Sequence, residues 1–312
     1  MPVNDELRAI LEKQQYRVVG GHSGVKLCHW LGQKMLHGRA CYKEQFYGIR
    51  SHRCLQMTPA LNNCTQSCLF CWRFQGFSER DLAECDEPAD ILDGAIKAQK
   101  KLITGYKGDP RCPREMWKEA NEPNQVAISL AGEPTLYEKL GGFIAECHDR
   151  GMTTFVVTNG TCPEALERLD PLPTQLYVTV AAPDEATFKK LCVPVVPKAW
   201  ARLQKSIDLF PSLDTRRVVR HTLVKGWNLG REGEYAAIDR RAEPHFIEPK
   251  GYVFVGYSRE RMAIANMPSQ DEVMAFSGKL AETLGFQVAG EKRDSRVCVL
   301  ASGSAPLKIG EA

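Results

Sequence analysis

Residues 56–76 read QMTPALNNCTQSCLFCWRFQG, and the fold follows from how that stretch is interpreted. Its first half is apolar enough for a strand. Its second half places Cys64, Cys68 and Cys71 at Cys-x3-Cys-x2-Cys spacing, with Phe70 just before the last cysteine. Three soft thiolates on one tight loop suit three irons of a four-iron cluster. No fourth cysteine follows at short spacing, so one iron would stay open for a substrate. A zinc loop is the competing reading, but zinc motifs usually pair one Cys-x2-Cys with a second, or with histidines.

Beyond this loop the sequence alternates between strand and helix patterns. Residues 88–103 place apolar side chains at 91, 92, 95, 96, 102 and 103, a helical stripe with a lysine-rich opposite face. Residues 125–132 (QVAISLAG) are a continuous apolar run of the buried parallel type. Helix is expected over 136–150, strand over 152–160, a short helix over 162–169, and strand over 175–182. Helices near 184–191 and 198–210, a strand at 216–226, a helix near 234–241 and a strand at 250–258 follow. A helix over 270–284 is capped by Ser269, and 295–303 reads as an added edge strand. Strict alternation implies a parallel sheet with right-handed crossovers. Six strand–helix pairs are too few for a closed eight-fold barrel, so the expected class is α/β: a partial (β/α)6 TIM-like barrel with an N-terminal extension. The expected division is 1–55, 56–290 and a tail at 291–312. Such barrels carry their chemistry on the loops after the strands. That places the cysteine loop, Gly132-Glu133 and Asn159 at one mouth. Taken alone, Gly132-Glu133 is equally a helix-start turn whose acid suits the dipole.

Upstream, after a short helix at 5–14 capped by Asn4 or Asp5, Cys28, Cys41 and Cys54 stand with twelve residues in each gap. His22, His29, His37 and His52 lie among them. The spacing matches no common zinc or ferredoxin module. A second cluster, a mixed Cys/His zinc site and three buried inert thiols all remain open. The other cysteines (85, 112, 147, 162, 192 and 298) fall in no motif and read as buried or incidental thiols.

Composition narrows the class. A hydrophobic content of 43% with 25% charged residues is that of an ordinary globule able to bury a substantial core at 312 residues. A net charge of +3 permits an RNA partner without demanding one. The N-terminus lacks the apolar core of a signal peptide, and no run approaches the roughly 18 apolar residues of a membrane span. Twelve cysteines without a secretion signal point to a reducing cytoplasm and thiolate ligands rather than disulfides.

The Cys64–Cys71 spacing is that of the radical S-adenosylmethionine (SAM) superfamily. The wider sequence resembles the tRNA 4-demethylwyosine synthase family within it. The resemblance rests on CYKEQFYGIRSHRC at 41–54, CTQSCLFCWR at 64–73, SLAGEPTLY at 129–137 and VTNG at 157–160. It continues in QLYVTVAAP at 175–183, HTLVKGWN at 221–228, KGYVFVGYSRERM at 250–262 and NMP at 266–268. It covers nearly the whole chain. Eukaryotic members carry an N-terminal flavodoxin-like domain for which there is no room before residue 16, so the chain resembles the shorter archaeal-type members and implies an external electron donor. The resemblance implies two 4Fe-4S clusters, on Cys64, Cys68 and Cys71 and on Cys28, Cys41 and Cys54. It places SAM against Phe70, Gly132, Glu133 and Asn159. It makes Lys43 the amine that forms an imine with pyruvate, with pyruvate bound to the open iron of the second cluster as the alternative. The implied substrate is N1-methylguanosine, 3′ of the anticodon in tRNA-Phe, which becomes tricyclic 4-demethylwyosine in wybutosine biosynthesis. The implied enzyme is a carbon–carbon lyase. Candidate RNA contacts are Lys100 and Lys101 in the basic run at 97–118, and Arg259 and Arg261. No membrane partner is implied.

Overall fold

A computed structural model describes residues 3–82 and 85–310 of the chain, arranged as two compact units. The first comprises residues 1–64, 76–156 and 169–174; the second comprises 65–75, 157–168 and 175–312. Neither border falls at residue 55 or 290: the N-terminal extension and the tail each add strands to a unit.

In the first unit, α1 (Asp5–Lys13) is capped by Asn4, whose side chain accepts the Leu7 N–H, an interaction worth about 1 kcal/mol. Strands β1 (Tyr16–Val19) and β2 (Ser23–Lys26) form an antiparallel hairpin. Helices α2 (His29–His37) and α3 (Tyr42–Tyr47) each end on a left-handed glycine, Gly38 and Gly48. Strand β3 (Cys54–Thr58) pairs antiparallel with β2. Next come α4 (Pro88–Ile103), α5 (Arg114–Ala120) and β4 (Gln125–Ile128). They are followed by α6 (Leu140–Asp149) and β5 (Thr153–Thr158). The strands β3, β4 and β5 are parallel neighbours, as the alternation predicts. Proline at the first turn starts α4. Burial of Ile91, Leu92, Ala95, Ala98 and Ile103 is its apolar stripe turned inward, with Gln99 buried beside it and Ile96 and Leu102 half-buried. Helix α6 begins at Leu140, not 136, because Pro134–Leu136 forms a separate 3-10 turn.

The second unit holds α7 (Pro163–Glu167), β6 (Gln175–Thr179), α8 (Glu185–Leu191), α9 (Ala199–Leu209) and β7 (Arg216–Leu223). It continues through α10 (Glu232–Ala242), β8 (Phe246–Gly251), α11 (Gln270–Leu284), β9 (Gln287–Lys292) and β10 (Val297–Ala301). Strands β6, β7 and β8 are parallel. Strand β10 joins β8 antiparallel, and β9 lies outside it.

Two sequence expectations change here, and two elements were not expected. The strand expected over 250–258 is β8 at Phe246–Gly251, and most of VFVGYS is loop. Strand β8 reads FIEPKG. Its Glu248 is fully buried against Arg220 of β7, with Nη2 2.6 Å from Oε2, and only pairing could make a carboxylate tolerable there. The tail strand is not an edge, because β9 covers it. Strand β9 was missed since QVAGEK, mostly solvent-exposed, carries no apolar alternation. The hairpin β1–β2 was also missed.

Candidate active site

Within the first unit, sequence-distant cysteines are gathered by helix starts. Cys28 and Cys41 are the residues just before α2 and α3, and Cys54 opens β3. Cys28 packs beside Leu31, Met35, Ile103 and Cys112, which sets α2 on α4 and α5. Glu44 of α3 bonds Lys34 Nζ at 2.7 Å and the Ser51 N–H at 2.8 Å, while Ser51 Oγ accepts the Cys41 N–H at 2.8 Å. The three thiols share one neighbourhood with Lys43. Burial pushes the Cys54 thiol well up, the charges of Cys28 and Cys41 push it the same way, and the Lys43 ammonium opposes them. Lys43 is 7% exposed, its Nζ 4.6 Å from the centre of the Phe155 ring, which Tyr47 meets edge-on. The histidines of the segment serve elsewhere. His22 bridges Pro59 O and the Asp86 N–H, His52 meets Glu119 at 2.6 Å, and His29 and His37 are exposed. Among the described residues no three His, Cys, Asp or Glu side chains converge on one metal ion.

The same unit joins the loop after β4 to the approach to Cys64. Gly132 adopts φ +71°, and a Cβ there would stand 1.8 Å from Ala60 O and 2.5 Å from Asn63 O. Only glycine permits that contact. The Glu133 N–H then donates to Asn63 O at 2.8 Å. The Glu133 carboxylate, 1% exposed, accepts from Thr135 N–H and Oγ1.

In the second unit, Cys68 and Cys71 lie on a loop held from two sides. One side is the segment after α8. Leu69 N–H donates to Leu191 O and Ser67 N–H to Val193 O, while Val195 N–H donates to Thr65 O, each near 3.0 Å. Val193 takes φ +43°, an uncommon conformation for a β-branched residue. The other side is the loop after β8: Tyr257 N–H donates to Trp72 O, and Arg261 donates to Leu69 O and Cys71 O. Phe70 packs with Leu191, Val224, Tyr252 and Met262. Asn159, at the end of β5, donates to Thr65 Oγ1 at 2.9 Å and accepts from Thr161.

Sequence reasoning missed three groups here. The neighbouring Cys192 thiol, ahead of burial, pushes the Cys68 thiol well up. Gln66 Oε1 lies 3.1 Å from Cys68 Sγ. Arg73, buried and donating to Gln66 O at 2.9 Å, draws down both Cys68 and Cys71, and Arg261 does the same for Cys71; burial still raises Cys71 overall. Cys192 gave no signal because a lone cysteine has no spacing to read. Of the expected RNA contacts, Arg259 stacks over Phe254 at 5.6 Å, whereas Arg261 is engaged by the cysteine loop. Lys100 and Lys101 are exposed on α4, where Lys101 lines a cleft with Arg17, Lys97 and Asp90.

Comparison with known proteins agrees with this geometry. The Radical SAM superfamily model matches residues 58–234, and the model for wyosine base formation matches 241–302. The chain is 48% identical over 302 residues to the S-adenosyl-L-methionine-dependent tRNA 4-demethylwyosine synthase of Pyrococcus abyssi, covering 95% of this chain and 88% of that one. It belongs to the tRNA 4-demethylwyosine synthase family of radical SAM enzymes. A solved structure of TYW1 with a lysine-pyruvate adduct bound superposes with TM-score 0.90 at 36% identity, covering 99% of each chain. A crystal structure of archaeal TYW1 gives 0.82 at 33% identity, covering 98% of this chain and 100% of that one. The tRNA 4-demethylwyosine synthase fold is thus this chain's fold, and the expected radical SAM barrel class stands.

Proposed function

We propose that this chain condenses N1-methylguanosine, 3′ of the anticodon in tRNA-Phe, with pyruvate to form 4-demethylwyosine, as a SAM-dependent radical enzyme of the cytoplasm. The observation that carries the reading is the buried amine of Lys43, which lies over the Phe155 ring on the helix that Cys41 opens. An all-thiolate donor set fits an iron–sulfur cluster, and histidines engaged with Pro59, Asp86 and Glu119 disfavour a mixed zinc site. Cys64, Cys68 and Cys71 would hold one 4Fe-4S cluster, and the N-terminal trio a second. When bound, the first cluster with SAM supplies one-electron cleavage of a carbon–sulfur bond and hence a carbon radical that takes hydrogen from the methyl group.

The chain's own residues do the rest. The buried Glu133 carboxylate would receive the SAM ammonium, on a loop that Gly132 lets pack closely on Ala60 and Asn63, just before Cys64. Phe70 and Asn159 would line the adenosine side. Lys43 Nζ would attack the pyruvate ketone, expel water and hold the substrate as an imine, a step that needs the amine unprotonated. The Phe155 ring against that amine, with burial of the lysine, shields it from water. The relative bearing a lysine-pyruvate adduct favours this over capture of pyruvate by the open iron. Electrons come from an external donor.

The test is anaerobic reconstitution followed by nucleoside mass spectrometry. About eight irons per chain are expected, and about half should survive substitution of Cys28, Cys41 and Cys54 by alanine together. Full iron retention in that variant rejects the second cluster. A fully loaded chain that makes no tricyclic base from methylated tRNA, pyruvate and SAM rejects the activity. Zinc without iron would establish the metal-binding alternative.

A further inference from the structure

We infer that the rim formed by the loops after β7 and β8 is the surface that captures the unpaired bases of the tRNA anticodon loop, with Trp227 as its stacking platform. The inference rests on the tRNA substrate proposed above and adds where that substrate lands. Among the described residues five large hydrophobic side chains are exposed, and three of them sit on these two loops: Trp227 (37%), Val255 (41%) and Ile264 (65%). Clustering of that kind marks a contact surface rather than scattered surface apolarity.

The two loops form one piece. Lys225 N–H donates to Asn266 O at 2.9 Å, and Asn266 Nδ2 returns a bond to Lys225 O at 3.0 Å. The backbone that carries Trp227 is anchored by its neighbour. Asn228 is fully buried and makes three bonds, to the Val224 N–H, Ala181 O and Thr222 O. A platform on so fixed a backbone loses little backbone entropy on capture. The rim continues into the cysteine loop through Arg261, Tyr257 and the close approach of Gly256 to Trp72 O. A base seated there is beside the loop that carries Cys68 and Cys71.

The chemistry favours RNA over an apolar protein partner. Arg259 lies on the Phe254 ring in the same loop, and the Lys225 ammonium is half-exposed beside Glu272. Aromatic faces interleaved with cations suit splayed nucleobases and their phosphates.

The experiment measures binding of the reconstituted chain to an anticodon stem–loop RNA carrying N1-methylguanosine, by fluorescence anisotropy at several salt concentrations. Trp227→Ala should weaken binding by about ten-fold or more, and Trp227→Phe should recover most of it. Arg259→Ala should lower the salt slope by about 0.7, one phosphate on a single strand. Val288→Ala, an exposed hydrophobic on β9, is the control and should bind as the parent does. Unchanged affinity in Trp227→Ala, or an equal loss in Val288→Ala, overturns the rim while leaving the tRNA reading intact. Slower reduction by a protein electron donor with RNA affinity unchanged assigns the patch to that protein and also overturns it. Failure of the parent chain to bind the RNA rejects the tRNA reading, and the rim with it.

Discussion

Replacing Gly132 by alanine probes the closest approach in the first unit. The new Cβ would stand 1.8 Å from Ala60 O, and Cβ atoms essentially never come within 3.0 Å of a neighbour, so a backbone carbonyl must retreat by at least 1.2 Å. The left-handed φ of +71° adds about 1–2 kcal/mol for any residue with a Cβ. The retreat also disturbs the 2.8 Å bond from Glu133 N–H to Asn63 O, worth about 1 kcal/mol. Together these give a destabilisation of about 3 kcal/mol, or a fall in melting temperature of about 6 °C or more. A misplacement near 1 Å beside reacting groups also lowers the rate by about 100-fold. The assays are thermal melting of the anaerobic protein, SAM affinity by equilibrium dialysis, and product formation. An alanine variant that melts with the parent and binds SAM equally well would refute the close approach and the assignment of Glu133.

Other substitutions separate the remaining roles. Lys43→Ala should keep reductive SAM cleavage yet lose the tricyclic product by at least about 100-fold; product formation at the parental rate rejects the imine. In the proposed cluster Cys68 would be a thiolate, and the neighbouring Cys192 thiol would be a donor toward it. Cys192→Ala should therefore shift the reduction potential of that cluster to a more negative value in an EPR-monitored redox titration, with iron content kept. An unmoved potential removes Cys192 from that role. His245 accepts the Arg217 N–H at Nδ1, and burial, followed by the charges of Arg217 and Arg216, holds its pKa below the ordinary 6.5. The folded chain keeps the ring neutral while the unfolded chain takes up a proton. Its contribution is thus complete above pH 6.5 and is lost as pH falls through that value toward the lowered one. Urea midpoints between pH 7.5 and 5 should show His245→Gln with the shallower pH dependence, and identical slopes contradict the assignment.

The regular elements were legible where one physical signal dominated. The stripe of α4 and the Ser269 cap of α11 gave those helices to the residue, since periodicity and capping are local. Strand β8 was misplaced because Glu248, Pro249 and Lys250 look hostile to a strand until Arg220 is brought beside them. The exposed β9 was invisible for the opposite reason: with nothing to bury, it carried no pattern.

By itself the sequence determined the parallel α/β class and the Cys64–Cys68–Cys71 loop, because thiolate spacing within one loop is a property of the chain alone. Only the tertiary structure decided that Cys28, Cys41 and Cys54 share a neighbourhood with Lys43, that Cys192 neighbours Cys68, and that Arg261 is bonded to the cysteine loop. These groups lie many residues apart along the chain. What joins them is the packing of helix starts and strand ends, which no local pattern encodes.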